Sequence, residues 1–235
     1  MIQKKIHYIW LGGKDKPKNF EEIFRGWQKY APDFEIKEWN ESNIDEFDLP
    51  EYYNNCIKLK KWAFASDALR FVVLEKYGGI YLDIDQILTK NIGTDEILEN
   101  NAIVSKYHEV DDYYGFGFVG CEQGSLFAKR VNEYYKNYSD SSYFIVNKAG
   151  SEIINQSIKN SENIIHVFPQ EYFYPLTDSD RTENTYSYHL SNTSWVPTYK
   201  RVLQRAPFYK VFKSVAKKML PKAIKARLGF NIDYL

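Results

Sequence analysis

Sulfur is scarce in this chain of 235 residues, with two cysteines, Cys56 and Cys121, and two methionines. Two lone cysteines without metal-ligand spacing exclude a disulfide framework and a cysteine-rich zinc module. They fit packing roles in a reducing compartment; one disulfide between them stays open. No apolar run reaches the roughly eighteen residues that a membrane-spanning helix needs. The opening Met1–Trp10 has no apolar core of signal-peptide length and reads as a first strand, so a cytoplasmic location is expected. A G-x-G-x-x-G fingerprint is missing, which argues against a nicotinamide dinucleotide. The four histidines (His7, His108, His166, His189) are scattered, unlike a metallophosphohydrolase site. Net charge is formally zero, but ten of the 31 basic residues lie between Lys200 and Arg227, where no acid occurs. The remaining 21 face all 31 acidic residues, so the body is acidic and the tail basic. An acidic body without a recognition module disfavours nucleic-acid binding.

What is present is aromatic and packable: hydrophobic residues make up 44% and aromatics 17%, enough for one domain with a substantial core. The most informative stretch runs from Ser66 to Asp85. Leu69, Val72, Val73 and Tyr77 recur at helical spacing in a helix expected to start near Lys61. Gly78 sits where a left-handed C-cap belongs, and Gly79 lets the chain turn at once. Ile80, Leu82 and Ile84 then alternate with Tyr81, Asp83 and Asp85, so the two acids are expected on one face of a strand end. Two carboxylates so placed repel, and either a shared proton or a hard divalent cation offsets the cost. Asp67 and Arg70, three apart, share one helix face just before the acid pair.

Around this stretch the order of elements is that of an α/β sheet with crossovers. Lys5–Leu11 reads as a strand closed by Gly12-Gly13. Asn19–Tyr30 reads as an amphipathic helix with a capping box from Asn19 to Glu22 and an apolar stripe of Phe20, Ile23, Phe24 and Trp27. Phe34–Trp39 is a second strand, and Ile87-Leu88 would prolong the strand that carries the acids. Asn101–Tyr107 is a strand, and His108–Asp112 an exposed loop. Phe116–Cys121 is glycine-punctuated and apolar. Ser125–Tyr138 is a helix burying Leu126, Phe127, Val131 and Tyr134-Tyr135; Gly150–Lys159 is a helix and Ile164–Phe168 a strand. Glu171–Leu176 reads as irregular.

Ser66-Asp67, Arg70, Leu74, Gly78-Gly79, Tyr81, Asp83 and Asp85 together resemble the signature of the DXD-containing glycosyltransferases of family 32. That family includes yeast-type initiating mannosyltransferases and bacterial capsule enzymes, and is distantly related to clostridial glucosylating toxins. The resemblance implies a single-domain GT-A fold, Rossmann-like, and retaining transfer from a nucleotide-diphospho-sugar with Mn²⁺ or Mg²⁺. It implies catalytic roles for Asp83, Asp85, Asp67 and Arg70. Donor contacts fall to Ile9, Trp10, Ser66, Asp67, Tyr81, Ile84, Asn192, Ser194 and Trp195, with Trp10 at the base. Tyr186–Pro197 resembles the family's closing His…Ser-Trp segment, so His189 joins Asp83 and Asp85 as metal ligand, although Leu190–Thr193 replaces the usual glycine and leaves the choice among His189, Asn192 and Ser194 open. Glu122 and Gln123 would lie on the acceptor side.

The organisation expected is a GT-A catalytic domain over residues 1–199 and a basic helical extension over 200–235. In the extension Phe208, Val211, Phe212, Val215 and Met219 form an apolar stripe flanked by Lys210, Lys213, Lys217 and Lys218, which suits an anionic membrane surface over 200–228 or docking on the acidic body. The expected reaction moves a UDP-linked hexose or N-acetylhexosamine to a saccharide, most simply a lipid-linked oligosaccharide of bacterial surface polysaccharide at the inner membrane face. A protein-modifying, toxin-like transferase and a non-catalytic sugar-nucleotide-binding module are the alternatives.

Overall fold

A computed structural model describes residues 1–108, 113–138, 146–160 and 162–190. Residues 200–235 lie outside this set, as do Asn192, Ser194, Trp195 and the run 109–112, so the expectations placed on them have no structural counterpart here.

The elements are β1 (Lys5–Ile9), α1 (Phe20–Tyr30), β2 (Glu35–Trp39), α2 (Glu51–Lys58), α3 (Trp62–Tyr77), β3 (Gly79–Leu82), β4 (Gln86–Leu88), α4 (Asp95–Leu98), β5 (Ala102–His108), β6 (Tyr113–Cys121), α5 (Leu126–Lys136), α6 (Val146–Lys159), β7 (His166–Phe168), α7 (Gln170–Phe173) and β8 (Ser187–His189). Six strands form one sheet in the order β2-β1-β3-β6-β5-β7. β2, β1 and β3 run parallel, as do β5 and β7, whereas β6 is antiparallel to both β3 and β5. This is the mixed α/β, GT-A-type sheet that the motif implied. β4 and β8 make a separate two-stranded ribbon. Gln86 to Leu88 therefore start a new strand and do not prolong the one before Asp83.

Both faces of the main sheet are covered. Ile6, Ile80, Leu82, Ile103 and Phe118 face one core with α1 and α7. Their strand neighbours Ile9, Tyr81, Val104 and Val119 face a second core with α2, α3, α5 and α6. Strands buried on both sides need apolar residues at nearly every position, which is why the sequence shows runs and little alternation. The same holds for α3, where Ala65, Asp67, Ala68, Leu69, Arg70, Phe71, Val73 and Leu74 are all buried. Asp67 and Arg70 are the polar pair in that buried set.

Two local expectations fail for identifiable reasons. Asn19 is already helical in conformation and makes no side-chain cap. The entry to α1 is instead a backbone turn, in which the Phe20 amide donates to the Pro17 carbonyl at 2.8 Å, so no box with Glu22 forms. Leu126 is exposed at the start of α5, while Phe127 and Val131 carry its packing. In addition, 170–173 is a short helix with Phe173 and Tyr174 in the core, not an irregular stretch. Cys56 and Cys121 are buried free thiols. No described helix is long and apolar enough to cross a membrane.

The turn from α3 to β3 is pinned from below. Gly78 has φ 61° and ψ −170°, a region open essentially to glycine alone and distinct from the left-handed helical cap expected for it. A Cβ on Gly79 would lie 2.7 Å from the Lys5 carbonyl oxygen. Trp39 donates its indole N–H to His7 Nδ1 at 3.1 Å, which leaves Nε2 as the protonated nitrogen, and that nitrogen donates to the Gly78 carbonyl at 2.8 Å. Burial, seconded by Lys5 and Lys37, holds His7 neutral, with its pKa down at about 4. The unfolded chain then binds one more proton than the native one between pH 4 and 6.5, so acid in that window favours unfolding. We expect the urea midpoint to fall on acidification through this window. Subtracting a His7→Gln profile should remove a slope of up to about 1.4 kcal/mol per pH unit. Identical profiles would show that His7 is not buried neutral.

Candidate active site

The parallel strands β1 and β3 both end at the same edge of the sheet. Tyr81, on β3, faces the core beneath α3 and is almost fully buried. Asp83, two residues on, continues in that direction but lies just past the strand, where the Gln86 amide closes a turn onto the Asp83 carbonyl at 2.9 Å. The two acids are therefore brought together by a turn, not by strand alternation.

His189 completes the group from the far end of the chain. Its Nε2 lies 2.9 Å from Asp85 Oδ1 and 3.4 Å from Asp83 Oδ2. Pairing of β4 with β8 sets this register, with Gln86 opposite His189, and the Leu190 amide donates to the Asp85 carbonyl at 3.1 Å. The buried Gln86 side chain reinforces it, donating to the Ser187 hydroxyl at 2.7 Å and the Phe173 carbonyl at 3.0 Å. One ligand atom from each of Asp83, Asp85 and His189 falls within 4.8 Å of the others. All three side chains are partly exposed, at 29%, 14% and 19%, so a solvent-borne ion can reach them.

Beneath the group lies a sealed polar layer. The Arg70 guanidinium is 2.5 Å from Asp67 Oδ1 and 3.4 Å from Asp83 Oδ1, donates to the Phe116 carbonyl at 2.7 Å, and stacks 4.3 Å from the Tyr81 ring centroid. The Tyr81 hydroxyl donates to Asp83 Oδ1 at 2.8 Å and sits 3.1 Å from the Ser66 hydroxyl. Asp67 and Arg70 are only 3% and 4% exposed, and Asp67 Oδ2 is buried with no hydrogen-bond partner among the described residues.

Burial works against an ionised Asp83, but Arg70, then His189 and Tyr81, outweigh it and hold its pKa near 2. Burial likewise disfavours a charged His189, yet hydrogen bonds and charge from Asp83 and Asp85 push its pKa to about 10. Asp67 moves the other way, to about 7, because burial and the charge of Asp83 prevail over Arg70. In the metal-free protein an imidazolium thus offsets part of the acid pair's charge. The set of two carboxylates and one imidazole fits a divalent cation, which would take the place of that proton's charge. Gly117 leaves room for these side chains: an added Cβ would meet Asp83 Oδ2 at 2.6 Å and His189 Cδ2 at 3.3 Å.

Other residues singled out from the sequence are placed as follows. Ile9 is buried at the end of β1, and Trp10 is half-buried with its indole N–H on the Lys14 carbonyl at 2.5 Å. Ile84 is the partly exposed residue between the two acids. Glu122 and Gln123 sit at the other end of the sheet: β6 is antiparallel to β3, so Cys121 lies opposite Gly79 while the Gly117 carbonyl accepts from the Asp83 amide at 2.7 Å. Glu122 there pairs with the amino terminus at 3.1 Å. The structure adds three residues that the motif did not reveal: Gly117, Gln86 and Tyr174. The Tyr174 hydroxyl accepts from the Phe118 amide at 2.6 Å and, with Tyr107, Pro175 and Leu176, the Tyr174 side chain lines a cavity of about 70 Å³ beside His189. The glycine spacing of 115–120 was the one visible signal.

A mixed sheet with its acids at the outgoing end of a central parallel strand is the GT-A type of fold, and the sequence matches that follow mark the chain as a glycosyltransferase. Residues 17–104 match the model of the glycosyltransferase sugar-binding region containing the DXD motif, which makes the resemblance read from Ser66–Asp85 a finding. A curated relative, the uncharacterized glycosyltransferase L373 of Acanthamoeba polyphaga mimivirus, is 26% identical over 217 residues, covering 85% of this chain and 86% of that protein. Among solved structures, the PaToxG glycosyltransferase aligns with a TM-score of 0.57 at 20% identity over 68% of this chain and 71% of its own. The UDP-bound glycosyltransferase domain of the YGT toxin aligns with a TM-score of 0.53 at 10% identity over 78% and 81%. At these identities the two structures establish the fold.

Two outcomes follow from the site's packing and charge. Gly117→Ala should cost about 1–3 kcal/mol in urea unfolding, as overpacking does, whereas Gly26→Ala, inside α1 with open space around its Cβ, should raise stability by about 0.5–1 kcal/mol. Equal effects would mean that Gly117 is not crowded by Asp83. Because the His189 pKa is raised on folding, its ion pairs stabilise the metal-free protein fully below pH 6.5 and lose that effect as pH rises towards 10. The stability gap between wild type and His189→Gln, measured in chelator, should close over this range; a gap independent of pH would refute the pairing.

Proposed function

We propose that this chain is a metal-dependent, retaining glycosyltransferase that moves a hexose or N-acetylhexosamine from a UDP-linked donor to a saccharide acceptor. The observation that carries this reading is the convergence of Asp83, Asp85 and His189 at the outgoing end of β3. Those three would hold Mn²⁺ or Mg²⁺, which, when bound, neutralises charge on the departing diphosphate. Arg70 and the Tyr81 hydroxyl keep Asp83 ionised and aimed outward. Asp67 and Arg70 would supply an acceptor and a donor for sugar hydroxyls once a small movement exposes them, with Ser66 beside them. Ile9, Trp10 and Ile84 line the same sheet edge and would contact the nucleotide, with Trp10 against the base. Asn192, Ser194 and Trp195 would close on the diphosphate. Retention of configuration rests on the family resemblance.

The domain proposal is a catalytic unit over residues 1–199 and a basic extension over 200–235 that meets an anionic membrane through 200–228. A lipid-linked oligosaccharide of bacterial surface polysaccharide at the inner membrane face is the acceptor that this arrangement suits. Transfer to a protein is the second reading, favoured by the likeness to the fold of the YGT toxin domain.

Release of UDP from a panel of UDP-sugars with Mn²⁺ tests the proposal. Asp83→Asn and Asp85→Asn should each lower turnover by at least about 100-fold, the scale expected when a group stabilising transition-state charge is lost. Unchanged turnover in both variants, or UMP and sugar phosphate as products, would reject the transferase reading of this site.

A further inference from the structure

The corner between α2 and α3 carries the only positive φ among the described non-glycine residues, 56° at Lys60. Its hydrogen bonds are those of a Schellman turn: the Lys60 amide donates to the Ile57 carbonyl at 3.0 Å and the Lys61 amide to the Cys56 carbonyl at 2.8 Å. Glycine is the residue that ordinarily occupies this left-handed position, because a Cβ there is strained. A lysine held in it sacrifices stability for a side chain at that point, and backbone strain of this kind is a pointer to function.

The side chains so displayed form a consistent set. Leu59 is 58% exposed, at the tip of the corner, and Lys58 and Lys60 flank it, exposed and without a carboxylate partner among the described residues. The corner is also on the substrate edge of the sheet. Trp62, the first residue of α3, lies across the glycine turn that follows β1, close enough that a Cβ on Gly12 would meet its ring at 2.7 Å. β1 and β3 run parallel, so this turn and Asp83 share one edge.

From this geometry we propose that the Lys58–Lys60 corner is a membrane-contact element of the folded catalytic unit, which seats the donor edge against an anionic bilayer. Cations alone would suit any polyanion, including a soluble acidic polypeptide. An exposed leucine between two unpaired lysines favours a surface that offers negative headgroups with an apolar layer beneath them. Leu59 would enter the headgroup boundary while Lys58 and Lys60 stay in the charged zone. The element is separate from residues 200–228, and the inference extends the membrane reading of the tail without depending on the identity of the acceptor.

The test uses the full-length protein and vesicles of phosphatidylcholine with or without phosphatidylserine. Partitioning onto the anionic vesicles should drop about tenfold in Leu59→Ser and about fivefold in Lys60→Gly. Lys60→Gly should at the same time raise the melting temperature by about 2–4 °C, because strain is relieved. A protein that melts higher yet binds vesicles less cannot be explained by damage to the fold. Wild-type partitioning that both variants retain would overturn this inference while leaving the tail's membrane contact intact. If the wild type failed to bind anionic vesicles at all, both would fall. Equal binding of wild type and Leu59→Ser to vesicles, with competition by polyglutamate, would assign the corner to an acidic protein instead.

Discussion

The structure turns on the cost of holding Asp83 and Asp85 on one short turn. Without a bound cation that cost is met by two positive groups reached from opposite sides. Arg70 approaches from below, on α3, and His189 from above, on β8. Their reach differs: Arg70, sealed in the core, reaches Asp83, whereas His189 bridges both acids. The arrangement explains why a charged arginine and a carboxylate are tolerated at the centre of a nearly all-buried helix. Desolvating them is expensive, and Asp67 meets part of that charge at 2.5 Å.

The same demand accounts for features distant in sequence. Gly117 has no side chain because Asp83 and His189 occupy the space that one would take. Gln86 is buried because its amide joins α7 and β8 to the turn after the acids, fixing where His189 can stand. His7 and Trp39 support the glycine corner that launches β3 towards the site. The candidate site is thus built by three chain segments, around residues 66–86, 115–118 and 186–190, that meet only in the folded state.

How much of this could be read beforehand depends on the range of the interaction. The α/β order, α3 with its glycine stop, and the pairing of Asp83 with Asp85 were legible, because periodicity and glycine punctuation are local signals. His189 was legible only through the resemblance, since the register of β4 with β8 has no local mark. Ile87-Leu88 read as a continuation of the acid-bearing strand although they belong to a separate ribbon, because an apolar pair after a turn looks the same in either sheet. The resemblance puts Glu122 and Gln123 on the acceptor side, but reversal of β6 against β3 places them at the far end, a fact of topology that sequence spacing cannot carry. Helical spacing puts both Leu126 and Phe127 in the core, but only Phe127 is buried and Leu126 faces outward at the start of α5.

The account centres on one claim: that Asp83, Asp85 and His189 are the place where a divalent cation meets the donor's diphosphate. Anomalous diffraction at the manganese edge, from crystals grown with Mn²⁺ and UDP, addresses it directly. The account predicts a single strong peak in contact with Asp83 and Asp85, adjoining the UDP diphosphate, with His189 turned onto it. A peak elsewhere, or UDP bound while both carboxylates keep only Arg70, Tyr81 and His189 as partners, would contradict it.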